Sequence, residues 1–340
     1  MRVQDDFRRT PSEASSARLA LERELQASGG HAEAWKDRVD RDALAIYLLR
    51  GGVKFTAWSF AANAASPDEQ ALLRGAIALA ENKPADARRF LEPLDPLSAP
   101  PGVAGPLALA RARLWQKGDS ADQSYLLRLA RLLEPGGLVE ETALRQEIFL
   151  ATEQNDVDRF IDLSRRYANR FQQSTYASNF LSRFESYYVR AWIAANDADR
   201  ERIDRVLDQF SAHDQTELRL SLGREALLSG DLEGARTAVS RVGNIEGLAA
   251  QEAARSRLYE LVPGIFGAGR QDILEKFEKI DTAALPREDI AILSAARSIA
   301  ETIGGAGAAA QSAARREAYP AADVIRASLA DADRALEQAK

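Results

Sequence analysis

The sequence predicts an all-α fold built as a superhelical array, or solenoid, of helical hairpins, and three observations carry the prediction. Ala, Leu, Arg and Glu fill the apolar runs, and stretches of alternating β-branched residues are absent. Stops recur about every 31–41 residues, at Gly51, Asn82, Gly118, Asn155, Asn196, Gly230 and Gly267, each followed by a polar turn and a second helical run. A helical hairpin must bury its apolar stripe against its neighbours, so even punctuation of this kind belongs to stacked hairpins.

The third observation is a matched pair of units. Gly75, Asn82, Ala87 and Leu91 stand at intervals of seven, five and four residues, and Gly223, Gly230, Ala235 and Val239 repeat those intervals. Small residues at the first and third places let two antiparallel helices approach, while Asn or Gly at the second accepts a left-handed turn. This is the spacing logic of a tetratricopeptide hairpin. The units between are degenerate, with Arg111, Ile148 and Val189 where the pattern asks for small residues. The alternative arrangement is an irregular helical bundle with coincidental turns.

Taken in order, residues from about Pro11 to Ser28 form one helix, stopped by Gly29-Gly30, and Trp35 to Arg50 form a second. Val53 to Ala65 carries Phe55, Trp58 and Phe60, and Ser66-Pro67-Asp68-Glu69 opens the next helix with capping chemistry. These first 66 residues are expected to close the open end of the stack, because terminal units need a polar outer face. Hairpins then follow through residues 67–303. Pro93, Pro96, Pro100 and Pro101 are expected to break the helices between Leu91 and Gly105; Pro135-Gly136-Gly137 and Pro263-Gly264 mark later breaks. Residues 304–340 begin with Gly304-Gly305-Ala306-Gly307, expected as a flexible hinge, and end in a helix after Pro320 with a thin stripe of Ile325, Leu329 and Leu336.

At 340 residues, 46% hydrophobic and 28% charged, the chain can bury a long core. Its net charge of −6 argues against nucleic-acid binding, which needs basic surface to displace counterions. Absence of Cys removes disulfides and thiolate ligands, and no run approaches the roughly 18 apolar residues of a membrane span. His31 and His213 lie far apart and in no ligand spacing. No phosphate loop or nucleophile elbow is present. The acidic pairs Asp156/Asp158 and Asp197/Asp199 open helices, where they cap free N–H groups and meet the positive end of the helix dipole. The expectation is therefore no enzyme, no catalytic or metal-binding residue and no cofactor.

Aromatics concentrate between Phe149 and Trp192, with Phe160, Tyr167, Phe171, Tyr176, Phe180, Phe184, Tyr187 and Tyr188 in one stretch. Phe180, Phe184 and Tyr187 recur at helical spacing, which first means core between hairpins and second an aromatic groove for a partner.

The same stretch carries a family resemblance. Gly136-Gly137-Leu138-Val139-Glu140-Glu141-Thr142-Ala143-Leu144-Arg145, then Asp158-Arg159-Phe160, then Arg170-Phe171-Gln172-Gln173-Ser174-Thr175-Tyr176-Ala177-Ser178-Asn179-Phe180, resembles the MotC family of periplasmic flagellar motility proteins of alphaproteobacteria. Weaker similarity reaches upstream through Leu48 to Gly52 and Gly75 to Arg88, so that residues from about Leu44 to Phe184 are covered. The resemblance implies a secreted, non-enzymatic scaffold or chaperone-like protein that binds the periplasmic part of the stator protein MotB. Met1-Arg2-Val3-Gln4-Asp5-Asp6 is too polar for a signal peptide, which suits a mature chain behind a start codon. Leu138, Glu140, Glu141, Arg145, Arg170, Phe171, Tyr176 and Phe180 are the expected partner surface or its support. Arg145 and Arg170 would supply directional charge and Tyr176 an apolar anchor with a hydroxyl; in the rival reading Glu140 and Glu141 favour a helix start while Phe171 and Phe180 fill the core. The alternatives in function are a cytoplasmic tetratricopeptide-type adaptor and a peptidoglycan-associated solenoid akin in architecture to lytic transglycosylase scaffolds. The latter would need a catalytic domain for which residues after Ile303 leave too little chain.

Overall fold

Local capping chemistry sets most helix boundaries in the computed structural model, which describes residues 36–52, 64–114, 120–245, 247–266 and 270–310, with isolated helical positions at 16, 19, 20, 23 and 24. The expected first helix falls largely, and the helix from Val53, the stops at Gly118 and Gly267 and the helix after Pro320 fall wholly or mainly, outside the described residues. Among the described residues there are 14 α-helices and no strand, so the chain is all-α.

Helix α1 (Arg38–Leu49) starts where the Asp37 carboxylate accepts from the Val39 N–H at 3.0 Å. Helix α2 (Pro67–Ala80) starts at Ser66, whose hydroxyl accepts from the Glu69 N–H, while Glu69 reaches back to the Ala65 N–H. Pro84 occupies the first turn of α3 (Pro84–Leu91), where a missing N–H costs nothing. There follow α4 (Pro101–Leu114), α5 (Ser120–Leu133), α6 (Leu138–Glu153), α7 (Val157–Phe171) and α8 (Ala177–Ala194). The later helices are α9 (Asp197–Asp204), α10 (Ala212–Ser229), α11 (Leu232–Ser240), α12 (Ala250–Leu261), α13 (Arg270–Glu278) and α14 (Arg287–Ala310).

Several expected stops are left-handed turns: Gly51, Asn82, Asn155 and Gly230 have φ of 91°, 55°, 54° and 82°. Asn196 differs. Its φ is −74° and its side chain accepts from the Asp199 N–H at 3.0 Å, so it starts α9 rather than ending α8. Asp156 caps α7 in the same way, through the Arg159 N–H.

Two expectations are corrected. The break expected up to Gly105 ends at Pro101, because a proline in the first turn begins a helix as readily as it interrupts one. Pro106 lies inside that helix. Gly304 to Gly307 are not a hinge but part of α14, whose packed face of Ile292, Leu293, Ala296, Ile299 and Ala300 precedes them and whose Ala308–Ala310 follow. The chain divides into two compact units, Met1–Phe184 and Glu185–Lys340.

In the first unit sequential helices pack on one another, α2 on α3, α5 on α4 and α6, and α6 on α7. Gly75 makes the α2–α3 contact possible: a Cβ there would stand 2.4 Å from the Leu91 side chain, and Ala87 beside it is fully buried. Arg50 pairs with Glu134, joining the end of α1 to the end of α5. In the second unit α10 packs on α11, and α12 packs on both. A Cβ at Gly223 would stand 2.8 Å from Val239, so the second hairpin repeats the contact of the first. Asp204 binds the Tyr188 hydroxyl, Arg219 and Arg241, and these bonds satisfy the buried Arg219.

Candidate interaction surface at residues 138–180

A left-handed Gly136, with φ of 84°, turns the chain into α6, and the acidic residues in its first turn complement the helix dipole. Glu140 does more than favour the start. Its carboxylate accepts from the Gly136 N–H at 2.5 Å and pairs with Arg170 at 2.7 Å, so the beginning of α6 is tied to the end of α7.

Glu141 is fully buried. It accepts from the Tyr167 hydroxyl at 3.1 Å and from the Ser174 hydroxyl at 2.9 Å, and Ser174 in turn accepts from the Tyr176 N–H at 3.1 Å. One carboxylate thereby fixes the loop between α7 and α8. Burial raises its pKa above the ordinary 4.5, opposed by the charge of Arg145 and the two hydroxyl donors. Burial, followed by the charge of Glu141, likewise pushes the Tyr167 phenol well above its usual range.

The rings form a continuous cluster. Tyr167 meets Phe180 at 3.8 Å between centroids, Phe180 meets Phe184 at 5.2 Å, and Phe184 stacks on Phe160 at 5.8 Å. Phe149 stacks on Phe180 at 6.1 Å, and Tyr167 meets Phe171 at 5.9 Å. Arg170 lies over the Phe171 ring at 5.7 Å.

The eight expected site residues therefore separate into two levels. Arg170 is exposed, and Leu138, Arg145 and Tyr176 are half-buried. Glu140, Glu141, Phe171 and Phe180 are 4%, 0%, 3% and 1% exposed, and each meets an internal partner or ring, which places them in the supporting part of the expected set. Sequence reasoning missed Ser174 and Glu147. Glu147 is buried between Arg131 and Arg159, and Arg159 also donates to Ser124 at 2.9 Å, linking α5, α6 and α7. A readable signal existed, since Glu147 interrupts the apolar stripe of Ala143, Leu144, Ile148 and Ala151. Nothing local marks Ser174, which meets Glu141 from 33 residues away.

Among the described residues no group of three or more His, Cys, Asp or Glu side chains could hold a metal ion, and no helix is long and apolar enough to cross a membrane. His213 is exposed and faces Glu252 at 3.1 Å. His31 lies outside the described residues.

The fold and this region define an all-α protein of packed helices whose aromatic and charged groups tie neighbouring helices together. The chain belongs to the MotC family: the family model described as Chemotaxis protein MotC matches residues 3–340. The membership thus extends through the Ala-rich half, beyond the stretch from Leu44 to Phe184 that carries the sequence resemblance. Chemotaxis protein MotC of Rhizobium meliloti (strain 1021) is 29% identical over 178 residues, which cover 51% of this chain and 40% of that protein. The match therefore spans less than half of the relative's length. No solved structure matches.

Proposed function

We propose that this chain is a non-enzymatic, periplasmic binding scaffold of flagellar motility, and that it supports motor rotation by binding the periplasmic part of the stator protein MotB. The family match over residues 3–340 is the observation that carries this reading. The geometry supports it in kind: Arg170 and the half-buried Arg145, Leu138 and Tyr176 stand over a core that fixes the loop beneath them. Rigid aromatic and Arg side chains on a preorganised base lose little entropy on binding. We read the hairpins as a tetratricopeptide-like solenoid, with the less regular units carrying the contact.

Calorimetric titration of the purified chain into the purified MotB periplasmic domain is expected to give saturable one-to-one binding. Absence of heat and of co-elution at 100 μM of each protein would refute the partner, and recovery of the chain only in cytoplasmic fractions of its native cells would refute the compartment.

A further inference from the structure

The second unit contains a groove of about 760 Å³, within the range of ligand-sized clefts, whose walls come from α8, α10, α12 and the start of α14. It draws on none of residues 138–180. We propose that this groove takes an extended protein segment bearing a Lys or Arg flanked by aliphatic residues.

Glu185, Val189 and Ile193 line one wall at four-residue steps, and therefore share one face of α8. Val189 and Ile193 are half-buried and provide an apolar strip for aliphatic side chains. The arginines opposite are already committed. Arg255 is held by Glu217 at 3.0 Å and Asp289 at 3.2 Å, and Arg224 by Glu288 at 3.3 Å and Asp289 at 3.7 Å. Asp289, 2% exposed, also accepts from the Tyr259 hydroxyl at 2.6 Å, which makes this lattice a fixed wall.

The charges left over decide the ligand. Glu185 and Glu225 line the groove and pair with no cation among the described residues, against one unpaired cation, Arg190. Counted over the lining, five carboxylates face three arginines. An acidic segment would meet uncompensated carboxylates, whereas an entering ammonium or guanidinium would gain charge-assisted hydrogen bonds in a partly desolvated cleft. A groove of this volume holds a few residues of chain rather than a folded domain.

The test uses the full chain and two fluorescent nine-residue peptides, one repeating valine, lysine and leucine and the other with glutamate for lysine. Fluorescence anisotropy is expected to show binding of the lysine peptide at least tenfold tighter than that of the glutamate peptide. Glu185→Gln with Glu225→Gln is expected to weaken the lysine peptide at least tenfold while leaving the melting temperature unchanged, both side chains being solvent-accessible and unpaired. Equal binding of the two peptides, undiminished affinity in the double variant, or no lysine-peptide binding at 1 mM would each overturn the proposal. Displacement of the lysine peptide by an equal concentration of spermidine would overturn the extended segment in favour of a small polyamine. MotB takes no part in this measurement, so its outcome is independent of the function proposed above.

Discussion

The hairpins α2–α3 and α10–α11 solve the packing problem by removing side chains, whereas the region from α6 to Phe184 solves it by filling space with rings and buried carboxylates. In the two hairpins Gly75 and Gly223 give up a Cβ so that Leu91 and Val239 can occupy its place. In α6 the corresponding position is Ile148, fully buried, and the surrounding helices meet through Phe149, Phe160, Tyr167, Phe180 and Phe184. The first solution is local and repeatable. The second depends on contacts such as that between Glu141 and Ser174, across 33 residues, and it fixes a loop as well as a core. Departure from the repeat thus adds a rigid base for exposed groups, which a hairpin packed by glycine does not provide.

Substitutions can break this contrast, and the largest effect belongs to the rings. Phe180→Ala removes the ring shared by Phe149, Tyr167 and Phe184, and is expected to cost about 3–5 kcal/mol in chemical denaturation. A loss below 1 kcal/mol would mean that the cluster does not organise this region.

Gly75→Ala comes next. Alanine favours a helix over glycine by about 1 kcal/mol, but its Cβ would overlap the Leu91 side chain in a filled core, and overpacking costs about 1–3 kcal/mol. A net fall in melting temperature is expected, smaller for Gly223→Ala, where the approach to Val239 is 2.8 Å. Gly243→Ala, with nothing near the new Cβ, is the control. A rise in melting temperature for Gly75→Ala would show that the hairpins do not depend on close approach.

Glu141→Gln has a signature in pH rather than size. Because burial raises the Glu141 pKa in the folded chain above 4.5, the protonated form is favoured by folding. Its stabilising contribution is fully present below 4.5 and is lost as pH rises through the raised folded value. The wild-type chain should therefore gain stability relative to Glu141→Gln as pH falls towards 4.5. Parallel pH profiles of the two proteins would contradict the assignment.

Much of this contrast was legible in the sequence, and the reasons are physical. Stops such as Asn82 and Gly230 and caps such as Ser66 and Asp156 act within four residues, so their chemistry is written locally. The equal spacing of Gly75 and Gly223 to their partners was readable for the same reason. The helix through Gly304 was not, because Gly304, Gly305 and Gly307 are poor helix formers and the local signal favours a break, whereas the helix entering from its packed face continues through them. At the candidate site the sequence did not mark the level of each residue. Phe180 and Tyr176 are both aromatic and four positions apart, yet one fills the core and the other lies in the loop above it. The groove of the second unit was invisible, since its arginine and carboxylate partners come from four separate helices.

A variant at the exposed level carries the central claim. Arg170 is 48% exposed but its partner Glu140 is buried, and Glu140 keeps the Gly136 N–H as a donor when Arg170 is lost, so the expected cost is about 1–2 kcal/mol, below the roughly 3–5 kcal/mol of a fully buried pair. The loop at Tyr176 is held by backbone bonds to Ser174 and Phe180, which survive loss of the Tyr176 ring. Titration of the MotB periplasmic domain with the Arg170→Ala/Tyr176→Ala double variant tests the account most directly. The prediction is an affinity at least tenfold weaker than wild type, with a melting temperature lowered by no more than about 8 °C. Wild-type affinity in the double variant, or loss of binding only alongside collapse of the melting temperature, would contradict it.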